Sequence, residues 1–132
     1  MTEDTETPTF AEPHVASAII QVITMAPVPE PAVDGDCLYM APLITEALHK
    51  RDVDVAETVW VVAKDANGAI VYLHKATRVD NLIIDCAAQQ FSPNLPPRWL
   101  AEEDKYIEAM VRETSGPGGC VAVTITTGNP LA

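Results

Sequence analysis

Cys37, His74 and Asp85 are the residues of this sequence that could together activate a thiol. A free cysteine is mostly protonated at neutral pH, and it becomes a strong nucleophile when a helix N-terminus or an imidazole stabilises its thiolate. Cys37 opens a helix-like segment, whereas His74 and Asp85 lie on consecutive strand-like segments. An imidazole can accept the thiol proton, and a carboxylate on its far side fixes its tautomer. The pattern therefore predicts a Cys–His–Asp triad.

Each of these residues also has a purely structural explanation. A lone cysteine is usually a small core residue, and a histidine that follows the apolar run 69–73 is at least as often a satisfied structural side chain. Asp85 gives the sharper signal, because a carboxylate inside the apolar run LIIDC is costly to bury without a partner. We therefore expect Asp85 either to cap a turn or to pair with His74 or Arg78.

Two stretches of the chain resemble papain-like and transglutaminase-like cysteine enzymes. The segment 35–41, GDCLYMA, is similar to their nucleophile segment, in which a cysteine opens a helix that packs on an antiparallel sheet. The segment 82–91, LIIDCAAQQF, resembles their aspartate strand, which follows the histidine strand. The likeness covers roughly residues 35–91. It extends loosely to the Pro-rich loop and the helix that follow, which resemble those of small bacterial papain-fold domains, including protein glutaminases. It implies that Cys37 is the nucleophile, that His74 is the general base and acid, and that Asp85 is the carboxylate that orients His74.

The surroundings of Cys37 raise two further expectations. Asp34 and Asp36 are anions beside the thiol, and we expect them to oppose its ionisation by raising its pKa. No glutamine stands in the segment 29–36 just before the cysteine. An oxyanion hole would therefore use backbone N–H groups at the helix start, or a side chain from elsewhere such as Gln21.

Gln90 and Trp60 are the candidates for substrate contact. Gln90 follows the Asp85 strand, although a glutamine there is ordinarily solvated or bonded to a loop. Trp60 alternates with neighbouring valines, which is more typical of a core strand than of a substrate platform. The spacing of the cysteines and histidines fits no zinc pattern, so we predict neither a metal nor a cofactor.

Charge and composition limit the classes of partner. The chain has 132 residues, with 19 Asp and Glu against 8 Lys and Arg, and a formal net charge of −11. This balance argues against binding nucleic acid or an anionic membrane surface, both of which require clustered Lys and Arg. It is compatible with a basic protein partner. The three cysteines form no C-x-x-C motif and the acidic N-terminus lacks a basic leader, so we predict free thiols in the cytoplasm.

The order of elements predicts an α+β fold with an antiparallel sheet. We expect an acidic, flexible tail over residues 1–13 and a single domain over 14–132. A turn at 79–81 would bring the segments of His74 and Asp85 side by side. Proline is tolerated only in a first helical turn, so Pro42 predicts a regular helix from near residue 41. The expected elements are a helix or strand at 14–26, a helix at 37–50, strands at 57–64, 69–78 and 82–86, a helix at 99–113, a turn at 115–119 and a strand at 120–126.

Two functions from different classes follow from these observations. The first is cysteine-dependent acyl-enzyme chemistry on an amide or thioester carbonyl of a protein, peptide or acyl substrate, which includes peptidases, glutamine deamidases or amidases, and acyl or amine transferases. The second is a non-catalytic, acidic interaction protein on the same fold. The small size leaves little room for an extended cleft, so a homo-oligomer or a partner chain could complete the site.

Overall fold

The computed structural model describes residues 12–29, 32–33 and 35–131. The predicted tail covers residues 1–13, of which residues 1–11 lie outside the described ranges. The first helix begins at Pro13, inside the predicted tail. No helix in the described ranges is long and apolar enough to cross a membrane. The elements in chain order are α1 (Pro13–Met25), α2 (Asp36–His49), β1 (Glu57–Lys64), β2 (Ile70–Val79), β3 (Leu82–Asp85), a 3₁₀ turn (Ala88–Gln90), β4 (Trp99–Glu102), α3 (Glu103–Gly118) and β5 (Ala122–Thr126).

The five strands form one sheet in the order β4-β3-β2-β1-β5, and every neighbouring pair is antiparallel. The predicted α+β class and the antiparallel sheet are therefore confirmed. The buried apolar residues form two clusters: α1 and α2 pack on one face of the sheet, and α3 packs on the other. We call the side of the sheet that packs against α1 and α2 the α2 face, and the side that packs against α3 the α3 face. Side chains alternate along a strand, so successive residues of β2 point to the α2 face and the α3 face in turn.

The first element is a helix and not a strand. Pro13 occupies its first position, where the missing N–H costs no hydrogen bond. Its buried residues recur at helical spacing and face α2: Ala18, Ile19 and Val22. The Arg98 guanidinium closes the helix by donating to its last carbonyls, those of Ile23, Thr24 and Ala26.

The α2 helix begins five residues earlier than Pro42 predicts. It starts at Asp36 and continues through Pro42 to its end. A proline removes only the bond to the carbonyl four residues before it, here that of Leu38. Leu38 is exposed, so water can donate to its carbonyl in place of the missing N–H. Gly35, at φ +92°, adopts the left-handed conformation that lets the chain turn sharply into the helix.

A chain of three threonine hydroxyl groups fixes α2 to the sheet. Thr77 Oγ1 donates to the carbonyl of Ala41 at 3.0 Å. Because that uses its only proton, Thr77 must accept from Thr45 Oγ1 at 3.0 Å, and Thr45 must in turn accept from Thr58 Oγ1 at 2.8 Å. The chain joins the middle of α2 to both β1 and β2, so it fixes the position of the helix relative to β2.

The predicted helix over 99–113 is wrong at both ends. Its first four residues form β4, because they pair with β3, where Trp99 lies opposite Asp85. The helix begins at Glu103 and runs to Gly118, beyond the predicted turn at 115–119. Gly119 then adopts φ +70°, so the glycine-rich stretch ends the helix instead of forming a separate turn.

Candidate active site

The sheet has a gap beside the middle of β2. Strand β3 has four residues and β2 has ten, and their pairing does not extend beyond Thr77 opposite Ile84. Cys37 is the second residue of α2. The Cys37 thiol interacts with two groups of β2 that lie beyond the Thr77–Ile84 pair, the imidazole of His74 and the backbone N–H of Lys75. The helix start therefore lies at the gap, where the thiol meets the edge of β2.

His74 and Asp85 form a buried pair on the α3 face. His74 lies opposite Val61, a core residue of that face. His74 Nε2 and Asp85 Oδ2 are 2.7 Å apart, and the two side chains are 0 % and 1 % exposed. Asp85 Oδ1 accepts the backbone N–H of Ala87 at 2.9 Å. The charge of Asp85 and its hydrogen bond favour the protonated ring, so His74 Nε2 is the donor of the pair.

The second ring nitrogen of His74 is the one available to the thiol. Nδ1 is buried and has no hydrogen-bond partner within the described part of the chain. With Nε2 protonated, the neutral imidazole carries a lone pair on Nδ1. Cys37 is the titratable neighbour that interacts with the ring from α2. The arrangement can therefore move a proton from Sγ to Nδ1.

The electrostatics of the site favour charge separation between Cys37 and His74. Burial opposes ionisation of the thiol, but its interactions with His74 and with the Lys75 N–H outweigh burial, and the pKa of Cys37 lies below its usual value. Burial also opposes protonation of the imidazole. The charge and hydrogen bond of Asp85, together with Cys37, overcome it and raise the pKa of His74 to about 9. A thiolate and an imidazolium are the states that these shifts stabilise near neutral pH.

The expected opposition from neighbouring anions is wrong for Asp36. Its Oδ2 accepts the backbone N–H of Val33 at 2.6 Å, so the carboxylate is bound to the segment before the helix. Among the described residues, Asp85 is the anion that raises the pKa of Cys37, and it acts across the imidazole. Asp34, the other expected anion, lies outside the described residues.

Aromatic rings fix the plane of the imidazole. Phe91, which directly follows the 3₁₀ turn, meets the His74 ring edge to face with centroids 4.9 Å apart. Tyr72, on the same face of β2, packs on Phe91 at 4.4 Å. Sequence reasoning did not identify this role for Phe91. The sequence could have indicated it, because Phe91 ends the segment 82–91 that resembles the aspartate strand.

Tyr106 is a second residue that sequence reasoning missed. Its hydroxyl donates to Asp85 Oδ2 at 2.6 Å, on the oxygen that also contacts His74. The available signal was its place on the apolar stripe of α3, one residue before Ile107. A buried tyrosine usually needs a hydrogen-bond partner. Asp85 was the carboxylate that the sequence predicted to be buried and in need of a donor.

The two proposed substrate-contact residues lie on β1 and in the 3₁₀ turn. Trp60 lies opposite Lys75 on the α2 face, and the Lys75 Nζ is 4.7 Å from the centre of its ring. Gln90 lies in the 3₁₀ turn, where its Oε1 is buried and has no partner among the described residues. Neither side chain makes a hydrogen bond to Cys37, His74 or Asp85 in the described part of the structure.

Two alternatives from the sequence are also wrong. Arg78 does not pair with Asp85: it contacts Glu57 at 3.1 Å and Glu103 at 3.5 Å. Gln21 accepts from Arg51 Nε at 3.4 Å. Arg51 follows the C-terminal end of α2, and a helix of that length spans about 20 Å. Gln21 therefore lies at the opposite end of α2 from the thiol and is not an oxyanion donor.

At the start of α2, the expected backbone donors reduce to one N–H group that has no acceptor in the described structure. Asp36 N–H donates to the carbonyl of Val33, and Leu38 N–H donates to that of Gly35. The N–H of Cys37 lies between these two and has no acceptor within residues 12–29, 32–33 and 35–131. It also belongs to the first turn of the helix, where the helix dipole favours negative charge.

Other sites in the structure have different properties. Among the described residues, no three His, Cys, Asp or Glu side chains are grouped so that they could hold a metal ion. Cys86 and Cys120 are buried free thiols, and burial raises the pKa of Cys86 to about 12. A cavity of about 840 Å³ lies beside the β2–β3 turn and the loop that follows α2, and its lining does not include Cys37, His74 or Asp85. Its carboxylates are Glu12, Asp52, Asp54, Asp80 and Glu102.

Comparison with protein-family models, with curated proteins and with solved structures finds no match for the chain. The functional interpretation therefore depends on the geometry of the described residues.

Proposed function

We propose that the chain is a cysteine enzyme that acts on an amide or thioester carbonyl through an acyl-enzyme, with a papain-like or transglutaminase-like arrangement. The observation that supports this most is the buried His74–Asp85 pair. Asp85 accepts the Nε2 proton and leaves Nδ1 for the thiol at the start of α2. A purely structural histidine would be expected to satisfy both ring nitrogens in the core.

The proposed reaction has two halves. Cys37 Sγ attacks the carbonyl carbon, and the Cys37 N–H at the helix start stabilises the oxyanion. For an amide, the proton on His74 Nδ1 passes to the departing nitrogen, and the C–N bond breaks to leave a thioester. Water or an amine then gives a proton to Nδ1 and attacks the thioester, which releases an acid or a new amide and restores the thiol.

The surface near the thiol sets conditions on the substrate. Cys37 is only 5 % exposed, so the attacked carbonyl must be sterically accessible and must approach closely. Leu38 and Tyr39, which follow it in α2, are exposed apolar side chains. Together with the half-buried Trp60 on the same sheet face, they favour a substrate that has an apolar or aromatic group beside the reacting carbonyl. All three cysteines are free thiols, so we place the reaction in the reducing cytoplasm.

An acyl donor that requires no knowledge of the natural substrate tests this function. p-Nitrophenyl acetate would be mixed with the full chain, and acetylation would be followed by intact-mass and peptide mass spectrometry. We expect rapid acetylation of Cys37 and a loss of about a hundredfold or more in Cys37 acetylation rate with His74→Ala. Cys86→Ala and Cys120→Ala are the matched controls and should leave that rate unchanged. Acetylation of Cys37 no faster than in the guanidinium-unfolded chain would contradict the proposal.

A second candidate, binding of a basic protein partner, is favoured by the acidic cavity beside the β2–β3 turn. Asp52 and Asp80 line it, and both adopt positive φ, at 65° and 54°. Asparagine tolerates this conformation, so Asp52→Asn and Asp80→Asn remove charge with little backbone strain. Titration of a Lys/Arg-rich peptide, followed by NMR, should shift resonances around the cavity and weaken in both variants and in salt. An absence of shifts there at low salt would exclude this candidate.

A further inference from the structure

Tyr106 is a buried tyrosine whose hydroxyl points at the proposed site. It lies on the inner side of α3 and is 1 % exposed. The Trp99 ring packs on it with centroids 4.6 Å apart and planes inclined at 37°, so the phenol has little freedom to move. Its O–H donates to Asp85 Oδ2 at 2.6 Å, a short distance that is typical of a hydrogen bond to an ionised acceptor.

The acceptor atom is shared with the histidine. Asp85 Oδ2 receives both Tyr106 O–H and His74 Nε2–H, whereas Oδ1 receives only the Ala87 N–H. A hydrogen bond to a carboxylate stabilises its negative charge and makes it a weaker base. The phenol therefore reduces the attraction that Asp85 exerts on the imidazolium proton.

We propose that Tyr106 is a positioning residue that limits the basicity of the Asp85–His74 pair. The effect on the pair concerns the folded protein alone, and its catalytic consequence rests on the proposed function. An imidazolium that holds its proton too strongly is a poor general acid, because it must give that proton to the departing group. Tyr106 thus allows Asp85 to orient His74 and still permits His74 to release its proton.

The titratable groups that face His74 are few. Cys37 approaches from α2, Asp85 approaches from β3, and Tyr106 acts from α3 through Asp85. Tyr72 shares the face of β2 and packs on Phe91, which also contacts the imidazole. The neighbour from β1 is a valine, which does not titrate.

An NMR titration of His74 isolates the effect of Tyr106. Cys37→Ala would be the reference background, so that the thiol no longer titrates with the ring. Adding Tyr106→Phe removes one donor from Asp85 and leaves its bonds to His74 and Ala87. We expect the pKa of His74 to rise by at least about half a pH unit, equivalent to roughly a threefold higher proton affinity.

Tyr72→Phe in the same background is the matched control. It removes a phenol from the same face, but the partner of that hydroxyl is Thr114, at 3.5 Å. The pKa of His74 should not change in this variant. A shift as large as that of Tyr106→Phe would show a general effect of aromatic repacking and would overturn the proposal.

Site-specific replacement of Tyr106 by 3-fluorotyrosine tests the opposite sign. The fluorinated phenol is a stronger acid and a stronger donor, so the pKa of His74 should fall. This variant keeps the hydroxyl in place and does not depend on tolerance of the phenylalanine substitution. Unchanged pKa values in both Tyr106 variants, or shifts opposite to those expected, would overturn the proposal. Failure of Cys37 acylation with these His74 shifts intact would instead count against the proposed function alone.

Discussion

His74 Nε2 lies 2.7 Å from Asp85 Oδ2 in a region of the core where neither side chain is more than 1 % exposed. Burying a carboxylate is costly unless it is paired and hydrogen-bonded. Asp85 is satisfied by three donors, from His74, Tyr106 and Ala87. The pair leaves the imidazole with one buried nitrogen that has no partner in the described structure.

The first prediction concerns selective alkylation of Cys37. Interaction with His74 lowers the pKa of this thiol, whereas burial raises the pKa of Cys86 to about 12. With iodoacetamide, Cys37 should react much faster than Cys86 or Cys120 and should still react well below pH 8.5. Site-resolved mass spectrometry over pH 5–10 measures this directly. Equal reactivity of the three thiols would contradict the assigned pKa shift.

The second prediction concerns the source of that shift. His74→Ala removes the imidazolium that stabilises the thiolate, so the alkylation profile of Cys37 should move upward by more than about one pH unit. His49→Ala is the control, because His49 lies at the other end of α2 and its Nε2 contacts the carbonyl of Ala56 at 2.7 Å. A Cys37 profile that moves equally in both variants would point to a change in α2 packing.

The third prediction concerns Asp85→Asn. The N–H of Ala87 can only donate, whereas His74 Nε2 and the Tyr106 oxygen can also accept, so the amide oxygen should face Ala87 and the NH₂ group should face His74 and Tyr106. His74 Nε2 must then accept, its proton moves to Nδ1, and the ring can no longer take the proton of Cys37. The alkylation profile should shift upward, although by less than in His74→Ala because the ring remains. A nitrogen NMR spectrum that shows no change of tautomer would refute this account.

Much of the sheet could be predicted from the sequence because its signals are local. β1 and β2 alternate in side-chain type and flank the turn at Asp65–Gly68, and the turn at 80–81 sets the approach of His74 to Asp85. Strand β4 could not be predicted. A four-residue run such as 99–102 has no decisive periodicity, and its pairing with β3 determines its conformation.

The parts of the site that were missed depend on contacts distant in sequence. Tyr106 meets Asp85 across 21 residues, and no local pattern specifies that contact. Asp36 was assigned the wrong effect because its carboxylate is bound by the N–H of Val33, a local detail that composition does not reveal. Strand alternation places Trp60 opposite the buried pair, on the side of the sheet that also carries α2 and Cys37.

The fourth prediction concerns the threonine chain under α2. Thr77→Val removes the donor to the carbonyl of Ala41 and the acceptor for Thr45, which leaves buried polar groups without partners. Urea denaturation should show a loss of about 1–3 kcal/mol in the free energy of unfolding. Thr124→Val, on an exposed position of β5, is the matched control and should have little effect. Equal effects of the two substitutions would exclude a special role for the chain.

The fifth prediction concerns the dependence of stability on pH. The pKa of His74 is about 9 in the folded protein against 6.5 for an ordinary histidine, so the folded chain retains a proton that the unfolded chain loses in this window. Taken alone, this stabilisation is full below pH 6.5 and is lost as the pH rises through about 9. The lowered pKa of Cys37 acts in the opposite sense, because the folded chain has released a thiol proton that the unfolded chain keeps below pH 9.

The two effects should therefore largely cancel in the native protein, because the proton has only moved from Sγ to Nδ1. Cys37→Ala leaves the histidine contribution uncompensated, and Asp85 still raises the pKa of His74. We expect the free energy of unfolding of Cys37→Ala to fall between pH 6.5 and 9, whereas that of the native chain stays nearly flat. Cys120→Ala, which removes a buried thiol elsewhere, should reproduce the native slope. Parallel slopes for Cys37→Ala and the native chain would show that Cys37 and His74 do not share a proton.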